Sequence, residues 1–298
     1  MKSALVEDIV QALLYEGYML YPYRPSAIKN QQRWHFGVLA PKCFSDAHQG
    51  AEAWMIQSEC LVRDLKAARL SFSVRFLQLV SEEAVERDIS ITDQSLHELT
   101  AAPREFSFEL ATPQQPLQGS VEISAEKSAE QVMRLRLHVK NLSTAADPAT
   151  RTRAEILPRS FISTHLITNV EDGEFVSLLE PPDNLRELAA SCQNVGCWPV
   201  LVGEPGERDC LLSSPIILYD YPKVATETAG DFYDSTEIDE LLTLRVLTLT
   251  DEEKREMRSR DLRTRQVLER TEALPMDQFA RVHGAIRELA ALKDNDSD

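Results

Sequence analysis

Long apolar runs are missing from this chain of 298 residues. A helix that spans a membrane needs roughly 20 consecutive apolar residues, and no stretch of the sequence approaches that length. The first residues, Met-Lys-Ser-Ala-Leu-Val-Glu-Asp, reach two acids at once and lack the apolar core and small-residue cleavage site of a secretory signal. We therefore expect a protein of the cytoplasm without a membrane span.

Motifs for common cofactors are also missing. The sequence contains neither the Gly-x-x-x-x-Gly-Lys-Ser/Thr phosphate loop nor the Gly-x-Gly-x-x-Gly dinucleotide fingerprint. Five cysteines, an odd number, indicate reduced thiols rather than a disulfide framework. Cys192 and Cys197 form one loose pair, whereas structural zinc needs two tight pairs or a pair with nearby histidines. We therefore expect no cofactor.

Negative charge exceeds positive charge by a wide margin. The chain carries 48 acidic against 32 basic residues, a formal net charge of −16. Binding to nucleic-acid phosphates needs clustered cations, so we do not expect a nucleic-acid partner. Hydrophobic residues make up 43% of the chain, which is enough to bury a core. No linker-like composition interrupts the sequence, and we predict one integrated domain over residues 1–292 and a disordered tail at 293–298.

Alternation of apolar and polar residues predicts β-strands. Leu70 to Phe76 alternate apolar side chains with serine and arginine, and the segment 133–139 alternates in the same way. We predict that this second segment pairs with 120–123. One buried face and one wet face are typical of antiparallel sheets. We therefore predict an α+β fold, a mainly antiparallel and sandwich-like β-sheet with α-helices in the C-terminal part, at about 235–292.

A row of cations lies on the wet face of the second of these strands. We interpret it as a solvated strand face, or alternatively as a contact for an acidic partner. The row comprises Arg134, Arg136, His138 and Lys140.

Two other segments carry local signals. Asp172-Gly173 between apolar runs predicts a hairpin that joins 161–168 to 174–179, because glycine permits the positive φ of such turns. Residues 81–100 are acidic, and their pattern is weakly helical.

The stretch 213–253 combines the best strand signal with the clearest helix starts. Residues 216–218, Ile-Ile-Leu between two prolines, predict a short and mostly buried strand. Acids and hydroxyl side chains at the starts of two later segments predict helices at about 235–247 and 250–274.

Aromatic and cationic side chains are concentrated in residues 15–37, which hold four of the seven tyrosines. Such a composition is typical of a recognition surface, where Tyr, Trp and Arg dominate binding energy. The alternative is a pair of strands whose aromatic side chains lie in the core. Two acids of the helix predicted at 235–247 join this set. The candidate partner-binding residues are Tyr15, Tyr18, Tyr21, Tyr23, Arg24, Arg33, Trp34, Asp239 and Glu240.

Carboxylates near the start of the 235–247 helix allow a second hypothesis. Hard cations take carboxylate oxygens, and a metal-binding carrier or an enzyme would use them there. Acids at a helix start also stabilise the helix dipole and need no metal. The candidate metal ligands are Asp220, Asp231, Asp234 and Glu237.

Several long motifs resemble one family. They are Leu-Tyr-Glu-Gly-Tyr-Met-Leu-Tyr-Pro-Tyr-Arg-Pro-Ser (14–26), Gln-Arg-Trp-His-Phe-Gly (32–37), Trp-Pro-Val-Leu-Val-Gly (198–203), Leu-Ser-Ser-Pro-Ile-Ile-Leu-Tyr-Asp-Tyr-Pro (212–222), Thr-Glu-Ile-Asp-Glu-Leu-Leu-Thr-Leu-Arg (236–245) and Leu-Thr-Asp-Glu-Glu-Lys (249–254). With them the chain resembles the uncharacterised protein family encoded in NiFe-hydrogenase gene clusters of the actinobacterial and acidobacterial type.

The resemblance implies a context and carries over no catalytic residue. It implies a non-enzymatic accessory, assembly or maturation protein that contacts a NiFe-hydrogenase subunit or another maturation factor. The alternative is a metal-binding carrier or enzyme with a carboxylate site near Asp231–Glu237.

Overall fold

The computed structural model describes residues 2–14, 36–80, 83–111 and 116–223, together with Asp251, Lys254, Arg255, Arg258, Arg265, Leu268, Glu269 and Glu272. The chain divides into two compact units. One combines Met1–Met19 with Gln32–Val224, and the other combines Leu20–Gln31 with Ala225–Asp298. The expected single domain over 1–292 stays a prediction, and the tail at 293–298 lies outside the described residues.

The first unit is built mainly of antiparallel strands, which confirms the predicted fold class. The strands are β1 (Met55–Val80), β2 (Glu83–Ser95), β3 (Arg104–Leu110), β4 (Leu117–Ala129), β5 (Val132–Asn141), β6 (Ile162–Val176), β7 (Trp198–Leu201) and β8 (Cys210–Ser214). The helices described in this unit are α1 (Lys2–Leu14), α2 (Lys42–Ala47), α3 (Leu96–Ala101), α4 (Arg153–Ile156) and α5 (Arg186–Ala190).

β1 is the centre of the sheet because it pairs with three strands along its 26 residues. Its first part, residues 55–63, pairs with β5, and its last part, residues 69–80, pairs with β2. β6 runs along the opposite edge, from Leu61 to Leu77. The strand order is β3-β4-β5-β1-β6-β8-β7, with β2 beside β1.

Both parts of β1 contribute to one core. Cys60 from the first part and Phe72 and Phe76 from the second belong to the same buried cluster. Phe161, just before β6, stacks on Phe76 with 4.4 Å between ring centroids and lies 5.7 Å from Phe108 of β3. β3 is far from β6 in the strand order, so the sheet must fold over itself to bring these rings together. The described strands therefore form one curved antiparallel sheet around a shared core.

The predicted hairpin at Asp172-Gly173 is wrong. Both residues lie inside the single strand β6, whose register against β1 shifts between Asp64 and Arg69. Asp172 has a φ of 55°, and a Cβ on Gly173 would lie 2.9 Å from the Cβ of Ala68 in the bulged part of β1. The Asp-Gly signal therefore marks a bulge, which needs the same left-handed backbone and small side chain as a tight turn.

The weakly helical pattern of residues 81–100 is overridden by pairing with β1. Glu83–Ser95 is strand β2, and the helical part is α3, which starts where Ser95 Oγ accepts a hydrogen bond from the N–H of Glu98. Ile91 of β2 and Leu96 of α3 join the shared core, which explains why tertiary packing decides this segment.

α1 is amphipathic. Its buried side chains are Val6, Ile9, Val10, Leu13 and Leu14. Glu7, on another side of the helix, forms an ion pair of 2.5 Å with Arg75 of β1. Among the helices that the structure describes, none has both the length and the apolar character needed to cross a membrane.

The described residues of the second unit between 251 and 272 are helical, with Leu268 buried and most charged residues exposed. Glu272 forms ion pairs with Lys254 at 3.3 Å and with Arg258 at 2.6 Å. A straight helix would separate Lys254 from Glu272 by roughly 27 Å. These residues therefore do not share one straight helix, and the prediction of a single helix over 250–274 is wrong.

Candidate protein-contact surface

β8 ends at Ser214, and the next residues run beside the edge strand β7. We call this segment, residues 215–221, the tethered loop. At its start, the N–H of Ile216 donates to Ser214 Oγ at 3.1 Å. At its end, the N–H of Tyr221 donates to the carbonyl of Leu201 in β7 at 2.7 Å. Both ends are therefore fixed to the sheet.

Asp220 gives the tethered loop a second attachment. Its Oδ1 accepts from the N–H of Leu201 at 2.8 Å, and its Oδ2 accepts from the hydroxyl of Ser177 at 2.5 Å. Ser177 Oγ in turn accepts from the N–H groups of Leu179 and Glu180. One carboxylate thus joins the loop, β7 and the segment after β6, and hydrogen bonds to a charged acceptor are the stronger kind.

Two large side chains of the tethered loop point into solvent. Ile217 is 72% exposed and Tyr219 is 86% exposed, so the predicted buried strand at 216–218 is wrong. Strand β8 ends at Ser214 because the next residue, Pro215, has no N–H to donate to the ladder. Trp198, opposite Ser214 in the β7–β8 register, is 41% exposed.

A charged network covers the other face of β1 and β5. Glu59 of β1 is 1% exposed, and its Oε1 accepts from Arg136 Nε at 2.5 Å. Its Oε2 accepts from the N–H of Gln193 at 2.7 Å, and its own N–H donates to the side chain of Asn194 at 2.9 Å. The segment after α5 therefore closes over this carboxylate.

The remaining cations of the β5 row also have partners inside the sheet. Arg134 pairs with Glu126 at 3.3 Å, and Lys140 binds Glu122. The hydrogen bond from Lys140 lowers the pKa of Glu122, whereas burial lowers the pKa of His138. The row finds its counter-charges within the sheet, which favours its interpretation as a strand face over that as a contact for an acidic partner.

A serine and a histidine meet beneath the start of the tethered loop. His165 Nδ1 donates to the carbonyl of Ser163 at 2.6 Å, so Nε2 is the acceptor for the hydroxyl of Ser214 at 3.3 Å. Burial lowers the pKa of His165 to about 4. A Ser–His pair resembles the nucleophile and base of hydrolases, but neither side chain is exposed, and no substrate reaches the pair in this conformation.

The five cysteines are free thiols, as the sequence predicts. Burial raises the pKa of Cys60 and raises that of Cys197 to about 12. Thiols with such pKa values are poor nucleophiles and poor metal ligands at neutral pH. Within the part of the chain that the structure describes, no three His, Cys, Asp or Glu side chains converge as a metal site.

An open cleft of about 620 Å³ separates β6 from the turn after β7. The exposed apolar side chain of Leu65 lies at one side. The cleft favours cations over anions because its lining includes one cation, Arg208, against five carboxylates: Glu171, Asp172, Glu174, Glu207 and Asp209.

Among the candidate metal ligands and the candidate partner-binding residues, the structure describes one, the candidate metal ligand Asp220. A metal at Asp220 would have to displace the hydrogen bonds from Ser177 and Leu201. The other candidates lie outside the described residues, and their roles stay predictions. They are the metal ligands Asp231, Asp234 and Glu237 and the partner-binding residues Tyr15, Tyr18, Tyr21, Tyr23, Arg24, Arg33, Trp34, Asp239 and Glu240.

Sequence reasoning missed the exposure of the tethered loop and the burial of Glu59. The two prolines around Ile217 and Tyr219 are a signal for a loop, since neither proline can donate an N–H to a ladder and only six residues lie between them. Glu59 follows the polar residues Gln57 and Ser58, and this local pattern does not mark it as buried. Its partner Arg136 lies 77 residues away and is found only from the strand register.

Comparison with protein-family models finds no match to this chain, and comparison with curated proteins finds none either.

Proposed function

We propose that this chain is a non-enzymatic accessory or assembly protein that acts by contact with a partner protein. One observation carries the proposal: Ile217 and Tyr219 are held in a fixed segment and are nevertheless 72% and 86% exposed. Isolated apolar side chains on a surface are ordinary. Ile217 and Tyr219, however, lie together in a loop that is fixed at both ends, and such a pair forms a preorganised binding surface.

The tethered loop has the physical properties of a preorganised contact. Binding normally loses free energy when a loop becomes ordered, and a loop that is already fixed avoids much of that loss. Tyrosine is enriched among the residues that dominate binding energy. The aromatic ring of Trp198 and the side chain of Ile217 add apolar area of the kind that lies at the centre of interfaces.

The partner we propose is a subunit of a NiFe hydrogenase or one of its maturation factors, met in the cytoplasm. This identity rests on the family resemblance of the sequence motifs. One of these motifs, residues 212–222, contains the whole tethered loop.

The test is recovery of the hydrogenase subunits with the tagged chain at its native level in host cells. We expect the wild type to enrich a large or small subunit. The double variant Ile217→Ser, Tyr219→Ser should reduce that recovery about ten-fold or more, because loss of two hot-spot side chains removes at least about 2 kcal/mol. Leu65→Ser is the matched control, since Leu65 is an apolar side chain that is 52% exposed outside the tethered loop, and its recovery should equal that of the wild type.

Equal recovery with the double variant would remove the tethered loop from the contact. Full hydrogenase activity in a strain that lacks this chain would remove the proposal itself. The carboxylate-site alternative near Asp231–Glu237 has its own test, since stoichiometric metal that disappears in Asp234→Ala would favour it.

A further inference from the structure

β3 lies at one end of the strand order, and β4 is its one strand neighbour among the described residues. Strands at the edge of a sheet carry backbone N–H and C=O groups that another chain can pair with. Phe106 and Phe108 of β3 pack against the core, whereas Glu105, Ser107 and Glu109 are exposed. The strand is thus anchored by one face and open on the other.

The register shows which backbone groups of β3 point away from β4. Gln118 of β4 uses its carbonyl for the N–H of Leu142 and its N–H for the hydroxyl of Ser143, both on the β5 side. Backbone groups of successive residues in a strand point to alternate sides. Gly119 therefore points toward β3, and its partner there is Phe108.

Since Phe108 directs its backbone groups to β4, the alternate residues of β3 direct theirs outward. Their three N–H and three C=O groups have no partner among the described residues. These residues are Glu105, Ser107 and Glu109.

Carboxylates dominate the exposed face at this edge. Lys140 is shared, because its Nζ binds Glu122 of β4 and lies 3.7 Å from Glu105 of β3. Glu109 receives a hydrogen bond of 2.9 Å from the neutral amide of Gln118. Across the sheet, the cations of β5 are followed by acids on β4 and by further acids on β3. A strand added beside β3 would balance these acids if it carried basic side chains. Opposite charges directly across strands stabilise pairing, and like charges oppose it.

A second copy of this chain does not fit the edge at neutral pH. Two β3 strands paired antiparallel about Ser107 would place Glu105 of each opposite Glu109 of the other. Both contacts join like charges, which is the arrangement that natural edge strands use against self-association.

We propose that β3 binds an extended, basic segment of a partner protein by β-strand addition. The added strand pairs with the outward backbone groups of Glu105, Ser107 and Glu109. It carries Lys or Arg at two positions four residues apart, one opposite each glutamate, with apolar residues between them toward Phe106 and Phe108. This surface is independent of the tethered loop, and neither proposal depends on the other.

The probe is a fluorescent seven-residue peptide, capped at both ends, with lysine at its second and sixth positions, threonine at the fourth and valine elsewhere. Its binding to the full chain is measured by anisotropy. The key pair of variants is Ser107→Pro and Ser107→Ala. Proline removes the outward N–H of residue 107 and leaves the β4 ladder intact, whereas alanine retains that N–H.

We expect Ser107→Ala to bind the peptide within about two-fold of the wild type and Ser107→Pro to bind it about ten-fold or more weakly, since strand addition depends on backbone hydrogen bonds. Glu109→Gln should weaken binding about three-fold and reduce its salt dependence, because it removes one exposed charge pair. Hydrogen exchange should show new protection at Glu105, Ser107 and Glu109 when peptide is bound.

If the peptide binds, three results would overturn the proposal. They are equal affinity of the proline and alanine variants, equal binding of a peptide with glutamate in place of lysine, and protection that appears away from β3. Absence of saturable binding would do the same and would assign the acids of β3 to prevention of self-association. A thermal unfolding curve of Ser107→Pro tests whether that variant is folded, and Glu109→Gln gives an answer that does not depend on the proline variant.

Discussion

Glu59 and Arg136 form an ion pair across β1 and β5, with 2.5 Å between Oε1 and Nε. The side chain of Glu59 is 1% exposed and that of Arg136 is 39% exposed. Arg134 Nε lies 4.0 Å from the other oxygen of Glu59 and is itself buried, with no hydrogen-bond partner among the residues that the structure describes. A buried carboxylate needs such neighbours, because charge in a low-dielectric interior is costly when unpaired.

Replacement of Glu59 by Gln should destabilise the protein by about 2 kcal/mol. The amide preserves the shape but leaves Arg134 and Arg136 without the charge they face. Because Arg136 is partly exposed, the cost is smaller than for a fully buried pair. Urea unfolding measures the change. Glu126→Gln is the control, since its pair with Arg134 is exposed on the glutamate side and should contribute less than about 0.5 kcal/mol. Equal effects of the two substitutions would contradict the role of Glu59.

Asp220→Ala should loosen the tethered loop and lower stability by about 2 kcal/mol. The substitution removes both hydrogen bonds of the carboxylate. It leaves the buried N–H of Leu201 and the hydroxyl of Ser177 without the acceptor they now have. Hydrogen exchange at Leu201 should become faster. Asp183→Ala serves as the control, because its ion pair with Arg186 is on the surface, where pairs contribute little. Unchanged exchange at Leu201 would show that Asp220 does not hold the loop.

Stability should fall between about pH 6.5 and about pH 4 through His165. The folded state holds the pKa of this buried histidine at about 4, against a usual value of 6.5. In that range the unfolded chain binds a proton that the folded chain does not, so acid favours unfolding by about 3 kcal/mol over the whole window. Urea unfolding of wild type and His165→Asn at several pH values isolates this contribution from the carboxylates. Parallel pH profiles of the two proteins would refute it.

Cys43 should react first with Ellman's reagent in the native protein. It is partly exposed, whereas Cys60, Cys197 and Cys210 are buried. Cys192 should follow more slowly, because burial raises its pKa and lowers the thiolate fraction. The buried thiols should react when urea unfolds the chain. Cys43→Ser should abolish the fast phase, and its persistence would show that another thiol is accessible.

The strands that alternate clearly could be predicted from sequence, because the two faces of each meet different environments. Leu70–Phe76 and the β4–β5 pair are examples. β2 could not be predicted in this way, since its structure comes from pairing with β1 rather than from its own pattern.

The candidate site shows the same limit. Ile217 has the side chain of a core residue. Its exposure depends on where Pro215 interrupts the sheet and on the hydrogen bonds of Asp220 to segments 19 and 43 residues away. The ion pair of Glu59 likewise depends on the β1–β5 register, in which Glu59 faces Arg136. Local sequence contains no information on such distant neighbours.

The long strand β1 has a consequence for synthesis on the ribosome. It is translated from Met55 onward, but β6, which completes its pairing, ends at Val176. β2 and β5 can pair with one edge of β1 earlier, but the edge that faces β6 stays unpaired for about 5–20 s at typical elongation rates. During that time it is a substrate for chaperones, and truncated chains that stop before β6 should aggregate.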